Sequence, residues 1–254
     1  MTTTADENHV VGPLGSEFWR IRVSPDLVPK MAREFDWNRL GRRVMIDAGE
    51  GIITWMSPSS LHEIFGFSSD EIVKEAGLIL HKRVRGMRGT RWKKPDEPAN
   101  VGLEADAAFY IGDNAATWYA VDREGSEEEI LAFEARTPPD LVVEVEATHF
   151  DRKKPRCYAE LGVREMWQVD ARKGRKQIQV EILDLQAPDG PGQIDKSLVL
   201  DGLASSDLPK AYQLARQGNI VGLGDLLKEK LAPVNNLDPD GEPDPAPPSF
   251  GRGM

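Results

Sequence analysis

Three acids and a lysine stand out as residues that can do chemistry together: Asp106, Glu144, Glu146 and either Lys153 or Lys154. Glu144 and Glu146 belong to Pro138-Pro139-Asp140-Leu141-Val142-Val143-Glu144-Val145-Glu146, an alternating stretch that reads as a strand. Leu141, Val143 and Val145 fall on one face; Asp140, Val142, Glu144 and Glu146 share the other. Same-face neighbours on a strand lie about 6.6 Å apart, so Glu144 and Glu146 can converge on one divalent cation. The plainer reading is a second face that meets water. Asp106 opens another alternating stretch, 38 residues before Glu144, a spacing that suits a neighbouring strand. Lys153 and Lys154 precede Pro155, which fits only the first turn of a helix. Lysines there oppose the helix dipole, which implies that the charge serves another purpose. An acid from one strand, an acid from the next and a nearby lysine suit phosphodiester hydrolysis. Carboxylates hold Mg²⁺ or Mn²⁺ through hard oxygens. The ion lowers the pKa of bound water and neutralises charge on the phosphorus oxygens. The lysine orients or deprotonates the attacking water, or stabilises the pentavalent phosphate.

The elements that must position these residues follow from the pattern. Residues 17–23 alternate as a strand, 27–40 read as a short helix and 44–56 as a hairpin around a Gly-containing turn. Residues 61–80 read as helical with an interruption near Gly66-Phe67, and Ser60 with Glu63 fits a capping box. Residues 102–111 form one strand, 122–129 an acidic surface connection. The helix after Lys153 or Lys154 runs to Leu161, with Gly162 just past its end. Residues 165–170 form the next strand. Strand, short helix, strand is a crossover unit, which favours parallel pairing. Residues 177–185 are a further strand, 198–203 are short and extended, and 212–230 are helical. The organisation expected is a loose segment over 1–16, a single domain over 17–231 and a disordered tail over 232–254 rich in Pro and Asp.

Lys and Arg total 32 against 42 Asp and Glu, a net charge of −10. That balance excludes a general nucleic-acid-coating protein and leaves a local basic patch or metal ions as the means of meeting phosphate. The dense basic segment holds Lys82, Arg83, Arg85, Arg88, Arg91, Lys93 and Lys94. Its candidates for nucleic-acid contact are Arg85, Arg88, Arg91, Lys93 and Lys94; a solvated charged loop is the other reading. Cys157 is the single cysteine, which excludes an internal disulfide and a Cys-rich zinc site. Residues 1–9 lack a basic segment followed by an apolar one, and no run approaches the roughly 18 apolar residues of a membrane span. The expected address is the cytoplasm, without membrane contact.

The order and spacing of several short words resemble the Uma-two family of endonucleases, within the PD-(D/E)XK restriction-endonuclease-like superfamily. These are Met56-Ser57-Pro58-Ser59-Ser60-Leu61-His62-Glu63, then Gly102-Leu103-Glu104-Ala105-Asp106 with Phe109-Tyr110-Ile111, then Pro139-Asp140-Leu141-Val142-Val143-Glu144-Val145. Tyr158-Ala159-Glu160-Leu161-Gly162-Val163-Arg164-Glu165-Met166-Trp167-Gln168-Val169-Asp170 completes the set. The resemblance covers about 45–185. It implies an α/β fold, an α+β mixed sheet flanked by helices. It also implies Asp106 and Glu144 as the two motif acids, Mg²⁺ or Mn²⁺ as cofactor, DNA as substrate and a homodimer that cuts two strands. Glu146 stands where the general superfamily motif has lysine, and Lys154, or Lys153, from the following helix matches a substitute for it. His62 and Glu63 fall on a helix whose acid sometimes completes the metal shell; packing and capping are their other readings. Gln168 can face the site from the next strand. Glu50 is a weaker candidate, and Asp140 reads as a residue where the strand begins. Two other functions stay open on the sequence: a nuclease fold that binds without cutting, and a hydrolase of a small phosphoester.

Overall fold

The computed structural model describes residues 8–11, 17–24, 26–28, 30–31, 43–47, 51–56, 60–87, 91–93, 101–147, 152–174 and 176–231. Among the described residues, two six-stranded sheets carry the chain. The first is built from β1 (Asn8–Val11), β2 (Glu17–Arg22), β3 (Arg43–Asp47), β4 (Ile52–Met56), β6 (Arg91–Lys93) and β7 (Val101–Glu104), in the order β1-β2-β4-β3-β7-β6. All of its pairs are antiparallel, including the β3–β4 hairpin expected from the sequence. The second sheet, in its spatial order, runs β12 (Gly192–Ile194), β11 (Gln179–Asp184), β10 (Glu165–Asp170), β9 (Leu141–Glu146), β8 (Ala107–Ile111) and β5 (Val84–Gly86). It is mixed: β9 and β10 are parallel, as the crossover pattern requires, and the other pairs are antiparallel.

Register turns the alternation of each strand into continuous rows. Ala107, Val143, Trp167 and Ile182 align across β8, β9, β10 and β11 on one face. They enter a core with Leu61, Phe65, Ile72, Val73 and Ala76 of α1 (Ser60–Ile79) and with buried residues of α5 (Leu208–Arg216) and α6 (Ile220–Lys230). Ala108, Val142, Met166 and Leu183 align on the opposite face. There they meet Trp118 of α2 (Asp113–Glu124), Ile130 and Phe133 of α3 (Glu127–Arg136), and Tyr158 of α4 (Lys154–Glu160). Helices therefore cover both faces, and all six residues of β9 are buried. The water-facing reading of its second face does not hold.

Several elements differ from the sequence pattern. The strand expected over 102–111 divides at Ala105-Asp106, with β7 in one sheet and β8 in the other. α1 runs unbroken through Gly66-Phe67, because the buried residues before and after that pair form one stripe whose packing outweighs a glycine cost of about 1 kcal/mol. The acidic stretch 122–129 is the end of α2 and the start of α3. Ser126 caps α3 in a capping box with Glu129, and Glu127, Glu128 and Glu129 sit in its first turn, where acids favour the dipole. Residues 198–203 form turns rather than an extended piece, drawn inward by the buried Leu200 and Leu203. The last helical region is two helices, α5 and α6, parted at Gly218, whose φ of +67° favours glycine. β1 lies inside the segment read as loose. Residues 232–254, most of the helix expected over 27–40, and Glu50 lie outside the described residues.

Candidate active site

The acids sit where the chain passes from one sheet to the other. Asp106 immediately precedes β8, one residue beyond the register pair Ala107–Val143. Leaving the ladder there, the chain offers a side chain in place of a backbone acceptor: Asp106 Oδ2 accepts from the Val145 N–H at 2.7 Å. That bond fixes the carboxylate beside β9. Glu144 lies on the same face of β9, and Gln168 is its register partner on β10. Glu146 and Asp170 form the next pair along. Asp106 is 3 %, Glu144 2 %, Glu146 5 % and Gln168 4 % exposed. The polar row lies at the C-terminal ends of the two parallel strands; the apolar row of Val142 and Met166 lies behind it.

α4 closes over this row. Lys153 is its N-cap and is exposed; Gly162, with φ +89°, follows its last turn. Lys154 and Tyr158, one turn apart on a single helix face, both reach Glu144. Lys154 Nζ donates to Glu144 Oε2 at 2.5 Å and stands 3.9 Å from Glu146 Oε1. Tyr158 Oη donates to Glu144 Oε1 at 2.5 Å. Both oxygens of the central acid are thus engaged from α4. Such charge-assisted bonds compensate a carboxylate removed from water. The lysine that opposed the helix dipole in the sequence has its reason here. The sequence assigns Tyr158 no role of its own; its place four residues after Lys154 is the signal that it shares that lysine's target.

The three acids do not converge on one point. Among the described residues no group of three or more His, Cys, Asp or Glu is arranged to hold a metal ion. The ammonium of Lys154 lies between Glu144 and Glu146, which separates Glu146 from a three-carboxylate set. Asp170, beside Glu146, is committed to Arg172, which donates to it through Nε at 2.9 Å and Nη2 at 2.6 Å. That guanidinium holds the Asp170 carboxyl below the usual range. What remains for a hard cation is Asp106 with Glu144, flanked by a buried amide, Gln168, whose oxygen and nitrogen both lack a hydrogen bond to the described residues. Two carboxylates suit Mg²⁺ or Mn²⁺ in donor chemistry.

The other candidates lie elsewhere. His62, buried, and Glu63 ride on α1, the helix that packs against the opposite sheet face. Asp140 stands at the start of β9, accepting from the Ile111 N–H at 2.7 Å and from Asn114 Nδ2 at 2.8 Å; burial pushes its carboxyl above the usual range. It joins β8 to β9 and α2, as a residue where the strand begins should. Arg85, on β5, is half-buried, with its guanidinium 3.7 Å from the centre of the Trp118 ring, a cation–π contact inside the fold. Arg91 and Lys93 lie on β6, which pairs with β7, and β7 contacts α4. Arg88 and Lys94 fall outside the described residues.

A mixed sheet flanked, among the described residues, by six helices, with its acids at the C-terminal ends of a parallel strand pair, is a restriction-endonuclease-like core. The family model described as "Uma2: Putative restriction endonuclease" matches residues 34–216, and the chain belongs to that family. No curated protein and no solved structure matches the chain. Among the described residues, no helix is long and apolar enough to cross a membrane.

Proposed function

We propose that the chain hydrolyses phosphodiester bonds of DNA with Mg²⁺ or Mn²⁺ held by Asp106 and Glu144. The observation that carries this reading is the buried pair of carboxylates on adjacent strand segments, with Lys154 bonded to one of them at 2.5 Å. Family membership supports a nuclease and a DNA substrate. Bound to the two acids, the ion would lower the pKa of water and offset charge building on the scissile phosphate. Asp106 is preset for this role because the Val145 amide holds its orientation. Tyr158 fixes the carboxylate plane of Glu144 from the apolar side. Lys154 brings a compact positive charge to the edge of the acid pair, where it can meet a phosphate oxygen or the attacking water. Glu146, within 3.9 Å of that ammonium, steers the lysine from the position where the superfamily motif carries its own.

Incubation of the purified chain with supercoiled plasmid and Mg²⁺ or Mn²⁺ tests the proposal. Metal-dependent nicking that Glu144→Ala abolishes is expected. No cleavage by the wild type, or equal cleavage by the variant, contradicts it. A linear product formed directly from supercoiled DNA would mark two copies acting together, as the homodimer expectation requires.

A further inference from the structure

Gln168 is the one buried residue of the polar row that the reading above leaves unused. It is 4 % exposed, it pairs in register with Glu144, and on its other side it pairs with Glu181 of β11. Neither its amide oxygen nor its amide nitrogen has a hydrogen bond to the described residues. Buried polar groups in native proteins are nearly always paired, and an unmet amide lowers stability. A leucine fills the same space without that cost, as Val142 and Met166 do in the adjacent row. The amide therefore calls for a partner beyond the described residues. Its neighbours narrow the choice. The carboxylates of Asp106 and Glu144 stand on the same face, and among the described residues no third His, Cys, Asp or Glu completes a metal-holding group with them. An amide carbonyl is a hard, neutral oxygen that adds a ligand without adding repulsion.

We infer that Gln168 supplies its carbonyl oxygen as the third protein ligand to the divalent cation of Asp106 and Glu144. The inference rests on the metal-dependent reading and deepens it by naming the residue that completes the donor set. It also gives the free protein a stability cost that the cation offsets.

Calorimetric titration of the full chain with Mn²⁺ alone tests it on the wild type, Gln168→Leu, Gln168→Glu and Glu144→Gln, with melting temperatures measured without metal. Gln168→Leu should melt higher than wild type yet bind Mn²⁺ more weakly, by on the order of tenfold. Gln168→Glu keeps an oxygen in place and should bind at least as tightly as wild type. Equal binding by Gln168→Leu and wild type, with Glu144→Gln defective, overturns the inference and leaves the metal reading standing. Weakened binding by both Gln168 variants, or failure of Gln168→Leu to fold, also overturns it, because shape rather than oxygen would then matter. Absence of Mn²⁺ binding by the wild type overturns both readings.

Discussion

Replacing Lys154 by methionine separates the two jobs that its ammonium performs at Glu144. The side chain keeps its length and loses its charge. In the wild type Nζ lies 2.5 Å from Glu144 Oε2 and 3.9 Å from Glu146 Oε1, and the lysine side chain is 15 % exposed against 3 % and 7 % for the two acids. At an effective dielectric of about 20, the nearer contact alone corresponds to a gross attraction of roughly 7 kcal/mol, most of it offset by desolvation. Breaking one side of a buried pair has a net cost of about 3–5 kcal/mol, because the carboxylate is left without its partner. Tyr158 still donates to Glu144, which favours the lower end of that range. A domain whose stability is about 5–15 kcal/mol tolerates such a loss and stays folded. The same change removes a competitor for the cation. Mn²⁺ should then stabilise the variant more than the wild type, by about 1.4 kcal/mol for each tenfold gain in affinity. Urea unfolding of both proteins, with and without Mn²⁺, reads the two effects separately. The variant should be less stable without metal, gain more from Mn²⁺, and cut plasmid DNA less. A variant as stable as wild type without metal, or equal stabilisation of both by Mn²⁺, would refute the reasoning.

Tyr158→Phe should lower stability by about 1.5–3 kcal/mol in urea unfolding, since it removes a hydrogen bond to a buried carboxylate. Arg85→Ala should lose about 1–2 kcal/mol of stability through the lost contact with Trp118, while DNA affinity and its salt dependence, followed by fluorescence anisotropy, stay as in the wild type. Glu165 gives a pH test. It is fully buried, accepts from Trp167 Nε1, Ser197 Oγ and the Leu198 N–H, and burial lifts its carboxyl above the usual range. The folded chain then holds that proton to higher pH than the unfolded chain. The contribution to stability is complete below the ordinary carboxylate pKa of about 4.3 and is lost as pH rises through the folded value. Glu165→Gln should remove that falling slope and cost about 1–3 kcal/mol, since an amide nitrogen cannot accept from the Leu198 N–H. Urea unfolding across a pH series checks both; a slope identical to wild type contradicts the assignment.

β9 was legible because its alternation fixes two faces, and the structure assigns those faces as Leu141, Val143 and Val145 against Val142, Glu144 and Glu146. The crossover through α4 was legible from Pro155 and Gly162, one admitting only the first turn and the other ending the helix. The break at Ala105-Asp106 was not, because alternation continues through it; only pairing with β3 and β6 on one side and β5 and β9 on the other divides the strand. α2 and α3 were hidden by surface composition. Yet the Ser126 to Glu129 capping box was written in the sequence and marks where α3 begins. Within the site, residue types pointed to Asp106, Glu144 and a lysine, while the choice of Lys154 over Lys153 followed from the family resemblance, and Lys154 Nζ lies 2.5 Å from Glu144 Oε2. The separation of Glu146 from the other acids came from where the ammonium settles. The contact of Arg85 with Trp118 was not legible, because charge runs look alike in sequence, whether they meet water or an indole ring.

Single-turnover cleavage of supercoiled plasmid by wild type and Glu144→Gln, both confirmed folded by circular dichroism, tests the assignment most directly across a range of Mn²⁺ concentrations. The account predicts nicking by the wild type that rises with Mn²⁺ and saturates, and none by Glu144→Gln at any concentration. Cleavage by the wild type that persists in a chelator, or equal rates for the two proteins, would contradict it.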